Sequence, residues 1–250
     1  MPSYEFRVPR LYVEAPLGEG GVVVLDRPQA HYLLTVLRLK SAARVLVFNG
    51  RDGEWEAAIE AEKRTASLRV GVKTRSQTVP CDLHYLFAPL KAVRLDYMVQ
   101  KAVEMGVSRL QPVLTRHGQV MRVNTARMRA NCIEAAEQCG VLNVAEIAEL
   151  EPLSRVLAAR EASRYLIFCD ERADVADPMA ALASVTRGSP LALLIGAEGG
   201  FADDERAALL ALPHVVRLAL GPRILRADTA AVAALALVQA AIGDWQRSNG

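Results

Sequence analysis

Residues 191–246 read LALLIGAEGGFADDERAALLALPHVVRLALGPRILRADTAAVAALALVQAAIGDWQ, and the order of segments within them decides the fold. A short apolar run, Leu191–Ile195, breaks into Gly196, Ala197, Glu198, Gly199 and Gly200. A second apolar run, Val215–Leu220, breaks into Gly221, Pro222, Arg223, Ile224, Leu225 and Arg226, and an alanine-rich segment begins at Asp228. Short apolar runs closed by glycine turns read as buried strands. Two such strands followed by a helix bring two backbone loops to one edge of a sheet, where open α/β sheets bind their ligands. This stretch is the candidate active site.

Upstream, the pattern supports the same architecture. Leu83–Leu90 reads as a buried strand, Arg94–Gly106 as a helix ending on glycine, and Arg109–Leu114 as a strand. Ala126–Gly140 follows as a helix, Arg164–Asp170 as a strand, and a helix is expected around Met179–Val185. Strands separated by helices predict a mainly parallel sheet covered on both faces. Lys73–Pro80 has no apolar periodicity and ends in proline, so the domain boundary is expected there, between residues 1–73 and 74–250.

The N-terminal part carries mostly strand signals. Val22–Leu25 follows Gly20-Gly21, Val45–Phe48 runs into the hairpin signal Asn49-Gly50, Trp55, Ala57 and Ile59 alternate with polar neighbours, and Ser67–Val72 alternates again. Ala30–Lys40 reads as one helix with Leu33, Leu34, Leu37 and His31 toward one face. Several short strands with one helix predict a small barrel. Arg38, Lys40 and Arg44 cluster at the helix end, a pattern that suits either phosphate contact or simple complementation of the helix dipole.

Composition narrows the class. The chain has 250 residues, 52% hydrophobic and 23% charged, long enough for a sizeable core and typical of a water-soluble fold. No run reaches the ~18 uninterrupted apolar residues of a membrane span; the nearest, Thr229–Gly243, is interrupted by Gln239. The start, MPSYEFRVPR, shows no secretory signal, so a cytoplasmic location is expected. Cys81, Cys132, Cys139 and Cys169 form no CxxC pair and suggest no metal site, only reduced buried thiols. Up to Arg75 there are 12 Lys and Arg against 9 Asp and Glu, a net of +3; the remainder holds 18 against 19, a net of −1. That asymmetry permits an RNA-facing N-terminal module without requiring one.

The glycine loops themselves exclude two cofactor classes. There is no GxGxxG after a first strand and no GxxxxGK[ST], so hydride transfer and nucleotide hydrolysis are weak readings. Glycines lacking a Cβ expose backbone N–H and C=O groups that can read an adenine edge and ribose hydroxyls. Leu194, Leu220, Ile224 and Leu225 offer apolar walls for a ring. Ordinary glycine turns after buried strands remain the alternative for either loop alone.

Taken in order along the chain, HYLLTVLRLK, QKAVEMGV, AAEQCG, IGAEGGF and LGPRILRADTAA resemble the RsmE family, bacterial methyltransferases of the SPOUT superfamily that modify N3 of a uridine in 16S rRNA. The resemblance spans nearly the whole chain. It implies an N-terminal PUA-like β-barrel for RNA, a C-terminal SPOUT α/β domain with a deep trefoil knot, S-adenosylmethionine as methyl donor, no metal, and a homodimer acting on the 30S subunit. By position it places the donor among Leu194, Gly196, Glu198, Gly199 and Gly200 on one loop and Leu220, Gly221, Ile224, Leu225 and Arg226 on the other. The chain departs from the family pattern at Ala197 for proline, Ala202 for serine, Ala227-Asp228 for Thr-Glu, Val141 for arginine, and Arg116-His117 for Glu-Arg.

Uridine N3 carries a proton at neutral pH, so the implied reaction needs an acceptor for it and in-line placement of nucleophile and methyl. Glu198 and Asp228 are the carboxylates flanking the expected pocket, and Asp228 alternatively caps the alanine-rich helix. Glu198 is alternatively tied to Arg223 or to backbone amides. Arg226 is the expected stabiliser of charge developing on the uracil oxygens. Phosphate contacts are expected from Arg10, Arg38, Lys40, Lys91 and Arg94. Two rivals stay open: a superfamily enzyme acting on another RNA, and a non-catalytic RNA-binding or assembly protein.

Overall fold

A computed structural model describes residues 8–62, 65–174 and 177–245. Two units emerge: the chain up to Val79 together with Ala136–Val144, and Pro80–Ala135 with Ala145 onward.

The first unit is built on β1 (Arg10–Tyr12), β2 (Val22–Val24), β3 (Arg44–Phe48), β4 (Glu54–Glu62) and β5 (Thr65–Arg75), in the sheet order β1-β3-β4-β5-β2. All pairs are antiparallel except β1 with β3. The sheet curls into a half-barrel and does not close, since β1 and β2 stand at its two edges among the described residues. Its inner face buries Leu11, Val23, Val45, Val47, Ala57, Ile59, Leu68 and Val70 around Leu33. The Asn49-Gly50 signal does mark the β3–β4 hairpin, through a five-residue connection. There Asn49 Nδ2 donates to Asp52 and to the Ala15 carbonyl. Gly53 is required by its φ of +85° and because a Cβ would lie 2.3 Å from the Arg75 carbonyl oxygen.

The single helix expected over Ala30–Lys40 is corrected. Helix α1 (Arg27–His31) starts earlier, on an Asp26 capping box with Pro28 in the first turn, then widens into a π-helical turn at Tyr32–Val36. It ends before Arg38, whose φ of 54° breaks the helical path, and His31 is exposed, not on the apolar face. Strand β5 runs three residues into the stretch read as linker, because Arg75 is held by Glu54.

The second unit is a seven-stranded sheet of β6 (Leu83–Phe87), β7 (Arg109–Leu114), β8 (Glu146–Ile147), β9 (Glu151–Pro152), β10 (Tyr165–Cys169), β11 (Leu191–Ile195) and β12 (Val215–Leu218). The order is β12-β10-β11-β6-β7-β8, with β9 beside β7, and every described pairing is parallel. Its helices are α2 (Ala92–Glu104), α3 (Thr125–Cys139, whose end falls in the first unit), α4 (Leu153–Ala158), α5 (Pro178–Leu182), α6 (Asp203–Leu210) and α7 (Ala227–Ala241). Leu153 and Leu157 of α4 and Leu209 of α6 pack with Leu86, Val113, Leu166, Phe168 and Leu194. Helix α7 contacts α2, α5 and β11. Gln239, the residue that interrupts the long apolar run, is fully buried: its Nε2 donates to the Met105 carbonyl and its Oε1 accepts from the Asp244 amide. A buried amide that uses both ends costs little and ties α7 to the end of α2.

Of the four cysteines expected to be buried, Cys81 and Cys132 are, Cys169 is partly buried, and Cys139 is exposed. Among the described residues no helix is long and apolar enough to cross a membrane.

Candidate active site

The second unit positions a cavity by strand order. β10 lies between β11 and β12, so the carboxyl ends of three adjacent parallel strands open onto one crevice. The cavity has a volume of about 520 Å³, within the usual range for small-molecule sites. Its walls are the β11 loop (Ile195–Phe201), the β12 loop (Leu218–Leu225) and a third segment, Cys169–Glu171, with Ala227 and Ala230 of α7 behind.

Each glycine of the β11 loop is closely faced. A Cβ at Gly196 would sit 3.0 Å from the Phe201 ring, one at Gly199 3.3 Å from His117 Cβ, and one at Gly200 3.1 Å from Glu171 Oε1. Gly200 also has φ +69° and closes a turn by donating its amide to the Ala197 carbonyl. Gly221 opens the facing loop at φ +88° with open space beside it. A side chain at any of the three β11-loop positions would press on these neighbours, so the loop presents bare main chain, an arrangement suited to a ligand read largely by main-chain groups.

Asp170 fixes the third wall. Its side chain is only 2% exposed and accepts from Arg206 Nη2 at 3.0 Å, Arg217 Nε at 2.8 Å and the Arg172 amide at 3.1 Å. Burial alone would raise its carboxyl pKa, but the hydrogen bonds from Arg206 and Arg217 outweigh it and hold the group below the usual carboxylate range. Burial pushes the neighbouring Cys169 thiol up to about 12, so it stays protonated and is no nucleophile.

Of the residues expected in the donor pocket, Gly196, Glu198, Gly199, Gly200, Leu220, Gly221, Ile224 and Leu225 line the cavity. Leu194 does not. It is fully buried in the core beside Phe168 and Phe201, and its neighbour Ile195 takes the lining position because adjacent strand residues point to opposite faces. Arg226 is exposed, lies outside the lining, and is the N-cap residue of α7. That corrects the alternative reading of Asp228 as cap: Asp228 sits inside the first turn, where its Oδ1 accepts from the Thr229 amide. Glu198 is tied neither to Arg223 nor to backbone amides but to Arg94 Nη1 at 2.7 Å, so a residue expected on phosphate and one expected at the donor meet.

Arg10 is also corrected. Its side chain is 10% exposed, lies 4.4 Å above the Phe48 ring, and donates to Glu54 at 2.8 Å. It further donates to the carbonyls of Ala136, Glu137 and Val141, while Arg75 donates to Glu54 and to the Gly140 carbonyl. The two arginines thus satisfy carbonyls left open at the end of α3, leaving Arg10 unavailable to a phosphate. Arg38, Lys40 and Lys91 are exposed. Sequence reasoning missed Asp170, Arg206 and Arg217, which lie on separate elements and meet only in the fold, and Glu171 beside Asp170 in the third wall.

Among the described residues no group of His, Cys, Asp and Glu is placed to hold a metal ion. Residues 77–239 match the RNA methyltransferase domain family, and residues 25–71 match the RNA methyltransferase PUA domain. The chain belongs to this family of RNA methyltransferases. The resemblance to the RsmE family holds as well. The ribosomal RNA small subunit methyltransferase E of Rickettsia conorii is 29% identical over 232 residues, 92% of this chain and 94% of its own. A methyltransferase of Legionella pneumophila, solved with bound S-adenosylmethionine, superposes with a TM-score of 0.83 at 28% identity, covering 95% of this chain and 99% of that one. Ribosomal RNA small subunit methyltransferase E of Neisseria gonorrhoeae, also solved with S-adenosylmethionine, gives 0.83 at 26% identity over 96% and 100%.

Proposed function

We propose that the chain transfers the methyl group of S-adenosylmethionine to N3 of a uridine in the 16S rRNA of the small ribosomal subunit. One observation carries this reading: the glycine-walled crevice at the carboxyl edge of the parallel sheet, in a chain that matches donor-bound relatives along nearly its whole length. The residues present fit the donor. Main-chain groups of Gly196, Gly199, Gly200 and Gly221 can take its polar edges, and Ile195, Leu220 and Leu225 can flank its adenine. When bound, the donor supplies an electrophilic methyl on a sulfonium centre.

The protein's own contribution is placement and charge. Asp170, held by Arg206 and Arg217, fixes the third wall of the crevice against which the donor would be placed. Arg226, exposed at the end of the β12 loop, is the cation we assign to the uracil oxygens. Arg38 and Lys40 in residues 1–73, taken as the RNA-binding part, and Lys91 and Arg94 in the catalytic remainder are the phosphate contacts of this reading. The same reading makes the protein a homodimer working in the cytoplasm; sedimentation equilibrium of the purified chain tests the dimer, with the mass of two chains expected and the mass of one overturning it.

Tritiated donor and 30S particles test the activity. Wild type is expected to label 16S rRNA, and Arg226→Ala to abolish labelling while its circular dichroism and thermal midpoint stay unchanged. Wild-type labelling by Arg226→Ala would remove Arg226 from the mechanism. A methyl group recovered from another RNA or another nucleoside would replace the substrate assignment.

A further inference from the structure

Bare main chain and apolar walls suit an adenosine, but they leave the charged side chains of the crevice without a partner in the ligand. The charged residues of the lining are Asp170, Glu171, Glu198 and Arg223. Two of them are committed: Asp170 accepts from Arg206 and Arg217, and Glu198 pairs with Arg94. Glu171 and Arg223 are not. Neither side chain hydrogen-bonds or pairs with another of the described residues.

The fold sets these two charges on different walls. Glu171 follows Asp170 just beyond the end of β10, and the bonds of Asp170 to Arg206, Arg217 and the Arg172 amide anchor the chain there. Its carboxylate lies against the β11 loop. A Cβ at Gly200 would sit 3.1 Å from Glu171 Oε1, so the glycine is what leaves the carboxylate its place. Arg223 stands on the β12 loop, between Gly221 with its open surroundings and the fully exposed Ile224. Opposite charges that share a cavity without pairing are each free to meet a counter-charge. A ribose diol would engage Glu171 and leave Arg223 idle, whereas a phosphate would engage Arg223 and be repelled by Glu171. A ligand carrying an ammonium and a carboxylate on one carbon satisfies both, and the planar guanidinium matches a carboxylate through two parallel N–H bonds.

We propose that Glu171 and Arg223 form a subsite for an α-amino acid group, Glu171 taking the ammonium and Arg223 the carboxylate of the methionyl end of S-adenosylmethionine. The inference rests on the methyl-transfer reading above and extends it to the end of the donor that the glycine loops do not read. With main chain holding the adenosine and this pair holding the amino acid, the sulfur between them is fixed from both sides. The product keeps the same amino acid group, so the subsite orients donor and product alike and does not discriminate between them.

Calorimetry with compounds that share the adenosine tests the subsite. S-adenosylhomocysteine carries the amino acid group, methylthioadenosine lacks it, and decarboxylated S-adenosylmethionine keeps the ammonium without the carboxylate. Wild type is expected to bind S-adenosylmethionine and S-adenosylhomocysteine about 10-fold or more tighter than methylthioadenosine. Glu171→Gln is expected to weaken S-adenosylmethionine, S-adenosylhomocysteine and the decarboxylated compound by about 10-fold each. Arg223→Gln is expected to weaken only the two that carry the carboxylate, again by about 10-fold. Both variants are expected to bind methylthioadenosine within about 2-fold of wild type, which shows the crevice intact. A wild type that binds none of these compounds defeats the methyl-transfer reading, and the subsite with it. Four other results overturn the subsite and leave methyl transfer standing: wild type binding methylthioadenosine as tightly as S-adenosylhomocysteine, a Glu171→Gln loss that extends equally to methylthioadenosine, an Arg223→Gln loss that extends equally to the decarboxylated compound, or either variant binding S-adenosylhomocysteine like wild type.

Discussion

Asp170 and Glu54 are buried carboxylates that each serve two arginines, and both set how the protein responds to acid. Glu54 accepts from Arg10 and Arg75; burial would raise its carboxyl, yet those hydrogen bonds hold it below its ordinary value, as Arg206 and Arg217 do for Asp170. A carboxyl whose folded pKa is depressed contributes stability that is complete above its unfolded value of ~4 and is lost as pH falls through the folded one. Stability is therefore expected to drop steeply below about pH 4, and Asp170→Asn and Glu54→Gln are each expected to flatten that acid limb while costing roughly 3 kcal/mol at neutral pH, since each leaves buried guanidinium groups uncompensated. Urea denaturation between pH 2.5 and 7 checks both; those limits span ~1–3 units around the carboxylate pKa. At this scale the glycines were readable, because glycine after an apolar run has few other uses. Leu194 was not placed correctly, because LALLI is apolar and buried at every position and so carries no alternation to show which residue turns to the crevice. Arg10 was misplaced for a related reason: nothing local distinguishes a buried arginine from a solvated one. Asp170, Arg206 and Arg217 are separated by 36 and 47 residues and carry no shared motif.

Helix starts beside the crevice show where function and stability diverge. Ala202 caps α6 with no side-chain acceptor, and only the reverse half of the capping box survives, the Ala202 amide donating to Glu205 Oε2 at 3.0 Å. Restoring the acceptor with Ala202→Ser is expected to stabilise the protein by about 1 kcal/mol, read as a raised urea midpoint at unchanged slope. An unchanged midpoint would show that the α6 entry cannot seat a hydroxyl. Helix α7 likewise begins on Arg226 without a side-chain cap, so the residue assigned to the uracil oxygens occupies a position where a small polar residue would be the better helix starter. The longer strands and helices were legible from apolar runs closed by turn residues and from helical spacing, to the residue for β7 and to within one residue at either end for α3. The two-residue β8 and β9, the six-residue α4 and the π-helical turn were not, being too short or too irregular for periodicity to register. The placement of β10 between β11 and β12, which supplies the third wall, is topology and has no local signature.

As a whole the molecule combines a curled five-stranded sheet, in the part that matches the RNA methyltransferase PUA domain, with a parallel sheet in the part that matches the RNA methyltransferase domain. The parallel sheet provides a buried scaffold and one loop-lined edge, while exposed cations in both units are available to an RNA backbone. The alternating strand and helix pattern made this architecture legible, but the resemblance, not the spacing, named the methyl group. Nucleoside mass spectrometry of 16S rRNA from cells with the gene, without it, and with it restored tests the central claim most directly. The account predicts that one N3-methyluridine disappears on deletion, returns with the wild-type chain, and fails to return with Arg226→Ala. An unchanged N3-methyluridine signal in the deletion strain would contradict it.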